Sequence, residues 1–327
     1  MAKKSGKSAR SGKGSKKAKQ QGDPKLTDQK VKDKALKKDK AEKKAAAEQA
    51  TKTWADHLRV EKGFVLADLD PESTPGFNGD KKDGEKALEG IDTLLADLQE
   101  RLYAESKGGG KQSLLLIVQG MDTSGKGGIM RYVVGAFDPQ GVHHTAFKAP
   151  TKEELAHDFL WRITNALPKP GEIGVFDRSQ YEDVLIVRVH DIVPREVWMK
   201  RYAQINAWER KVAASGTRIV KVMLHISKDE QKARLSERLD RPDKYWKYNP
   251  GDVDERGHWL SYMEAYQAIM DKTSTVGAPW HVVPANRKWY ARLAVANLVL
   301  DALKGMDPQW PPADFDVAAE QKRLAES

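Results

Sequence analysis

The chain contains no cysteine, which excludes disulfide frameworks and thiolate metal sites and suits a reducing cytoplasm. It also lacks any apolar run near the roughly 18 residues that a membrane helix needs. The basic N-terminus is followed by no apolar core of the kind that marks a secretory signal. A cytoplasmic protein without a membrane partner is expected. Acidic residues are missing from the first twenty positions, and the stretch up to Asp23 is mostly Lys, Ser, Gly and Ala, too polar to bury a core and expected to be disordered. Residues 1–50 hold 17 of the 56 Lys and Arg and 6 of the 47 Asp and Glu, so positions 51–327 hold 39 and 41 and are nearly neutral. The overall charge of +9 is therefore a property of one arm. Two readings stand for that arm: a contact for nucleic acid or another polyanion, and a solubilising tail.

What the chain does hold is an apolar run leading into a glycine-rich loop, SLLLIVQGMDTSGKGG at 113–128. Ser113 to Val118 reads as a buried strand and Gly125 onward as a helix start. Gly120, Gly125 and Lys126 fit G-x-x-x-x-G-K, in which glycines let backbone N–H groups face a phosphate and the helix end favours its charge. One group is absent here too. Gly127 stands where most such loops carry a Ser or Thr whose hydroxyl holds Mg²⁺. The cation still needs a hard oxygen, and Asp122, inside the loop, is the nearest candidate.

Around this loop strand and helix alternate, the pattern of a parallel sheet covered on both faces. Thr27 to Ala50 is helix-prone without an apolar stripe. Leu88, Ile91, Leu95, Leu98 and Leu102 predict an amphipathic helix that Gly108–Gly110 ends. Further strands are expected over 142–147, 172–176, 218–226 and 280–283. Thr151, with Glu154 three residues on, opens a helix by a capping box, and that helix is expected to carry Leu155, Phe159 and Trp161. A helix from about Arg195 to Ala214 should bury Trp198, Tyr202, Ile205, Trp208 and Val212, and one from about Arg287 to Leu303 closes the fold. His225, alone in an apolar strand, reads as structural.

Two more stretches carry chemistry. EIGVFDRSQYEDVL at 172–185 is an apolar strand ending in Asp177, placed as a Walker-B carboxylate is to reach magnesium. Arg178 follows at once and would put fixed positive charge on phosphoryl oxygens. KARLSERLDRPDKYWKYNPGDVDERG at 232–257 sets Arg234 and Arg238 on one helix face. Arg241, Lys244 and Lys247 then follow in a Pro- and Gly-containing stretch expected to be irregular. A lid that closes over reacting phosphates is one reading; a solvated basic face is the other.

Taken together, GMDTSGKGG, FKAPT (147–151), FDRSQYEDVL with VRVH (187–190), and RLDRPDKYWKY resemble the polyphosphate kinase 2 family over about residues 54–312. The resemblance implies a P-loop kinase fold of α/β class: a parallel five-stranded sheet flanked by helices, with a helical lid. It divides the chain into a disordered basic tail (1–26), an N-terminal extension (27–83), the kinase domain (84–312, lid about 232–257) and a C-terminal tail (313–327). It implies Mg²⁺-dependent phosphoryl transfer between inorganic polyphosphate and ADP or AMP, with GDP and GMP open, and a homo-oligomer, dimer or tetramer. The implied catalytic residues are Asp122, Lys126, Asp177, Arg178 and Arg238, with Asp122 and Asp177 on the metal. Phosphate or nucleotide contacts are implied at Gly120, Thr123, Ser124, Gly125, Gly127, Gly128, Lys148, Glu182, Arg234, Lys244 and Lys247. Family subgroups join FDRS to a nearby Asn, or FNRS to a YEDVL-like run. This chain joins Asp177 to Glu182 and Asp183, and its YEDVL–VRVH run resembles the subgroup using both AMP and ADP.

A phosphate oxygen attacking a phosphoanhydride is already ionised, so no strong general base and no catalytic histidine is required. Two other functions fit parts of the chain: an ATP-dependent nucleoside monophosphate kinase, against which Gly127 speaks, and a polyanion-binding protein acting through its lysine-rich arm.

Overall fold

The computed structural model describes residues 52–327; the tail over 1–26 and the helix-prone stretch from Thr27 to Ala50 lie outside the described residues. Five strands, β1 (Ser113–Gly120), β2 (Val142–Ala146), β3 (Ile173–Asp177), β4 (Thr217–His225) and β5 (Trp280–Pro284), form one parallel sheet in the order β2-β3-β1-β4-β5. Its central strand is buried along its whole length, as parallel strands with both faces covered must be. Chain order reverses at β1, with β3 on one side and β4 on the other. A crevice opens there beyond the strand C-termini, where open α/β sheets bind their ligands.

The helices that matter below are α1 (Lys81–Lys107), α2 (Lys126–Tyr132), α3 (Arg195–Ala214), α4 (Lys228–Asp240), α5 (Gly251–Gly257), α6 (Trp259–Thr273) and α7 (Lys288–Met306); shorter turns are given by their residues. Alternate residues of a strand face opposite sides. Leu114, Leu116 and Val118 accordingly join Leu95 and Leu102 of α1 and Ala294 and Leu298 of α7 in one cluster. Leu115, Ile117, Phe176 and Ile219 join Val212 and Trp208 of α3 in another. Each fully buried Leu or Ile contributes about 1.5–3 kcal/mol, and this two-sided packing holds the strand ends rigid beneath the crevice. Among the described residues no helix is long and apolar enough to cross a membrane.

The stretch from 52 to 80 is built onto this core. Thr53 caps a short helix, Trp54–Leu58. Leu58, Val60 and Leu66 are buried, and Val60 N–H donates to Trp280 O at 2.8 Å, so the edge strand β5 is covered. Helix α1 opens at Asp80, whose carboxylate accepts from Lys82 and Asp83 N–H; a domain boundary at 83/84 would fall in its first turn.

Two sequence expectations are corrected. Thr151 does cap a helix, but it spans only Lys152–Leu155, and Trp161–Asn165 is a separate one. Asp158 interposes: its carboxylate accepts from Leu160 N–H at 3.0 Å and starts a new turn. Leu155 is consequently exposed. On α3 the buried face runs Trp198, Tyr202, Ile205, Glu209 and Val212. Glu209 takes the inward position and Trp208 stands at the rim, where its Nε1 donates to Thr164 Oγ1.

Gly84 sets the approach of α1 to α7: a Cβ there would lie 2.3 Å from the Trp289 ring, which is itself wedged edge-on against Phe77 and Tyr290. Gly84→Ala should therefore lower stability by about 1–3 kcal/mol, the usual consequence of overpacking. Urea unfolding reads this directly; an unchanged midpoint would show that the helix pair has slack.

Candidate active site

At the C-terminal end of β1 the backbone turns sharply. Gly120 has φ +148°, and a Cβ on it would stand 2.7 Å from both Leu224 O and Ser124 Oγ, so no larger residue fits. Gly125, at φ +114°, turns the chain into α2, a conformation glycine adopts without a steric penalty. Between them Thr123 is held at φ +65°. Lys126 folds over this loop, its Nζ donating to Gly120 O at 2.7 Å and Met121 O at 3.2 Å. Burial pulls the Lys126 pKa down, with the Asp122 carboxylate holding against it.

Strand β3 delivers the second half of the site. Val118 and Asp177 are register partners, so Asp177 ends beside the loop. Its Oδ1 is buried and has no hydrogen-bond partner. The next residue, Arg178, is forced to φ +63° with its N–H on Val118 O at 3.1 Å, and this disfavoured backbone carries its guanidinium onto Asp122, Nη2 to Oδ1 at 2.8 Å. Burial works against the Arg178 charge, but Glu182, Asp122 and Asp177 outweigh it and its pKa rises.

Two compartments meet at this ion pair. The larger, about 880 Å³, is lined by ten Lys or Arg and four Asp or Glu, a balance that suits a polyanion. The smaller, about 500 Å³, has apolar walls from Phe147, Ala149, Pro150, Leu155, Ile186, Val187, Ile192 and Val193, suited to a ring system with a charged end. Asp122, Lys148, Arg178 and Asp252 line both. Glu182, Asp183, Tyr262 and Tyr266 stand in the smaller one. Burial pushes Glu182 up against the pull of Arg178 and Lys126. It pushes Asp183 up to about 6, against Arg201 at 2.9 Å. Burial likewise pulls His225 down to about 4, so it is neutral at pH 7, and it lines neither compartment.

The segment after α4 is more regular than its composition implies. Pro242–Lys247 is a 3₁₀ helix and α5 follows. Pro242 stands at the first position of its turn, where a missing N–H is harmless, and Asn249 Oδ1 accepts from Gly251 N–H at 3.0 Å to start α5. Arg238 Nη1 ties the two together through Lys247 O at 2.7 Å and Asp252 Oδ2 at 3.2 Å. Lys244 and Lys247 face the cleft beside Trp246, which is 78 % exposed.

Arg234 differs from its expected place among the lid cations. It is 5 % exposed, and its guanidinium donates to the carbonyls of Thr123, Ser124, Ala285 and Asn286 at 2.8, 3.0, 2.6 and 2.9 Å. It braces the loop from beneath; helical spacing put it on the face of Arg238 but carried no information about depth.

The larger compartment thus gathers the candidate site residues read from the sequence except Gly120, Glu182 and Asp183, which line the smaller, and Arg241, which lines neither and pairs with Asp243 at 2.9 Å. Sequence reasoning missed Arg131, Tyr132, Lys288 and Arg292 in the larger, and Arg162, Arg201, Tyr262 and Tyr266 in the smaller. The only local signal was the basic pair Arg287–Lys288 at the start of α7, read as a helix end. Asp122 and Asp177, two hard carboxylates beside a phosphate loop, one with an orphaned buried oxygen, fit Mg²⁺, which takes one or two carboxylates plus substrate phosphates.

A family model described as polyphosphate kinase 2 matches residues 78–311. The AMP/ADP-polyphosphate phosphotransferase of Meiothermus ruber is 46% identical over 248 residues, 76% of this chain and 91% of that protein. The ADP-polyphosphate phosphotransferase of Rhodopseudomonas palustris is 44% identical over 229 residues, 66% of this chain and 78% of that one. A crystal structure of polyphosphate kinase 2 from Arthrobacter aurescens superposes with a TM-score of 0.83 at 60% identity, covering 84% of this chain and 98% of its own.

Removing the Arg234 brace leaves four loop carbonyls short of a donor and Glu230 unpaired. Arg234→Met should lower stability by about 3–5 kcal/mol, read by chemical unfolding; a lid cation would leave the midpoint unmoved. Asp183 supplies a pH test. Its folded pKa lies above the ordinary 3.8, so the folded chain keeps a proton that the unfolded chain releases. That contribution to stability is complete below about pH 4 and is lost as pH rises to about 6. Asp183→Asn should flatten this part of the stability curve, whereas an unchanged slope would mean that Asp183 titrates normally.

Proposed function

The chain belongs to the polyphosphate kinase 2 family, and from that membership we propose that it moves phosphoryl groups from inorganic polyphosphate in the larger compartment to a nucleotide in the smaller. One observation carries the assignment of sides: a cation-rich cleft and an apolar-walled pocket share a wall at Asp122 and Arg178. The cleft carries ten Lys or Arg against four in the pocket, and the pocket has the more continuous apolar wall.

Lys126, released from the Gly120 and Met121 carbonyls by an incoming phosphate, neutralises the transferring group from the loop side. Arg178 does so from the β3 side, and because it lines both compartments it bridges donor and acceptor oxygens. Lys148 lines the same shared wall. Arg238, already tied to Asp252, holds Lys244 and Lys247 over the donor chain, while Arg131, Lys288 and Arg292 extend the basic track along α2 and α7. Asp122 and Asp177 would hold Mg²⁺, which when bound would neutralise charge on the phosphates. Within the pocket, Tyr262 and Tyr266 supply flat surfaces for the base. The acceptor oxygen attacks as an anion, so Glu182 need not act as a base; raised by burial, it faces Arg178 and adjusts that charge.

Both AMP and ADP are proposed as acceptors, with ADP and ATP as products, GMP and GDP being the further substrates to try. The names of the Meiothermus and Rhodopseudomonas relatives and the YEDVL–VRVH run support that reading. The absence of cysteine supports a cytoplasmic location. The exposed Phe315, Val317 and Leu324 offer a surface to a second copy in a dimer or tetramer, and the N-terminal arm would hold the distal part of a long polyphosphate.

Pure protein, Mg²⁺ and polyphosphate mixed with AMP or with ADP should yield ADP and ATP respectively; phosphorylation from ATP but none from polyphosphate would overturn the assignment. Asp177→Asn should lower kcat by at least about 10²-fold in a folded protein, with circular dichroism and unfolding midpoint as controls. Wild-type turnover would remove Asp177 from the site.

A further inference from the structure

The turn that carries Arg178 and Glu182 is anchored on a buried charge. Lys221, 0 % exposed, and Glu209, 2 % exposed, pair at 2.7 Å between β4 and α3. Side chains alternate along a strand, so Lys221 stands between the buried Ile219 and Met223 on that side of β4, and a leucine or methionine would fill the position. A fully buried ion pair is a weak source of stability relative to apolar residues of the same volume, so what it fixes in place matters more than what it adds to stability.

The remaining bonds of the pair show where it acts. Gln180 Nε2 and Tyr181 OH both donate to Glu209 Oε1, at 3.1 and 2.7 Å. Lys221 Nζ donates to Tyr181 OH at 2.9 Å and to Thr273 O at 2.8 Å, so with Glu209 all three of its donors are used. Gln180 and Tyr181 are the second and third residues after Arg178. Thr273 ends α6, the helix that presents Tyr262 and Tyr266 to the smaller compartment. The Tyr181 ring packs edge-on against Trp280 at 4.7 Å, and Trp280 Nε1 donates to Thr273 Oγ1 at 2.9 Å. Two walls of the transfer site therefore converge on one ion pair. Arg178 itself stands in left-handed backbone at φ +63°, which persists only where the surroundings fix it.

We propose that Glu209 and Lys221 are positioning residues: through Gln180 and Tyr181 they hold the 179–182 turn so that Arg178 faces Asp122 at the junction of the two compartments. The inference rests on the role given to Arg178 above. Neither residue lines either compartment, so their effect on turnover passes through the turn.

The test combines three changes. Tyr181→Phe keeps the ring on Trp280 and removes only the hydroxyl. Glu209→Leu with Lys221→Met removes both charges together, so neither is left buried alone. Arg178→Ala supplies the background. Tyr181→Phe should lower kcat about tenfold, and the paired replacement, in a protein that still folds, about 10²-fold, the loss a displacement near 1 Å produces. KM for polyphosphate should stay within about twofold in both. In the Arg178→Ala background neither change should lower kcat further, because they act through that residue. A folded paired variant with wild-type kcat, or equal losses with and without Arg178, would overturn the positioning role; should the paired variant not fold, Tyr181→Phe with wild-type kcat does so alone. If Arg178→Ala itself turns over normally, the role of Arg178 fails and this inference with it. A large loss for Arg178→Ala with none for Tyr181→Phe removes the inference only.

Discussion

Two phosphate chains must be brought into contact for a phosphoryl group to pass between them, and like charges at about 4 Å repel by about 4 kcal/mol per pair at an effective dielectric near 20. Several such pairs would exceed what any single hydrogen bond returns. The chain meets this constraint by converging positive groups on the C-terminal ends of β1 and β3, where the sheet order reverses. Those cations must be held in place before substrate arrives, since ordering long side chains during the reaction would add its own penalty.

How they are held explains much of the surrounding structure. Arg178 is aimed by a left-handed residue and an ion pair to Asp122. Lys126 rests on loop carbonyls. The loop itself is braced by Arg234, whose guanidinium serves four carbonyls, and by Gln231, whose Nε2 donates to Asp122 O at 3.1 Å. Helix α4 thus supports the phosphate loop from one turn and presents Arg238 to the larger compartment from the next. On the other side of the sheet the Glu209–Lys221 pair does for the β3 turn what Arg234 does for the loop. Buried polar networks of this kind fix geometry more than they add stability.

Much of this was legible in the sequence where function is written in contiguous residues. GMDTSGKGG marks a strand, turn and helix in which Gly120 and Gly125 have local steric causes, and FDRS marks a strand end. Alternating strands and helices gave the parallel sheet, and the five strand positions were displaced by no more than two residues at either end. What could not be read depends on depth or on distant partners. Arg234 and Arg238 are equivalent by spacing, yet one is buried under the loop and the other faces the cleft. The single lysine in TRIVKVMLH was visible, but its partner Glu209 sits on a helix whose aromatic pattern pointed to Trp208 instead. Arg131 lines the cleft from α2, past the end of the loop motif, Arg292 lines it from α7, which carries no motif, and the Lys152–Leu155 helix ends early because of one aspartate's side-chain bond.

The proposed assignment of the two compartments that share a wall makes a specific demand on the order of events: donor and acceptor would sit side by side, and the phosphoryl group would pass between them with no covalent stop on the protein. Initial rates measured over a matrix of polyphosphate and nucleotide concentrations test this most directly. Simultaneous occupancy gives double-reciprocal lines that intersect, with no phosphate retained on protein exposed to polyphosphate alone. Parallel lines together with a stoichiometrically phosphorylated protein would mean that the two substrates take turns in one site, and would contradict the account.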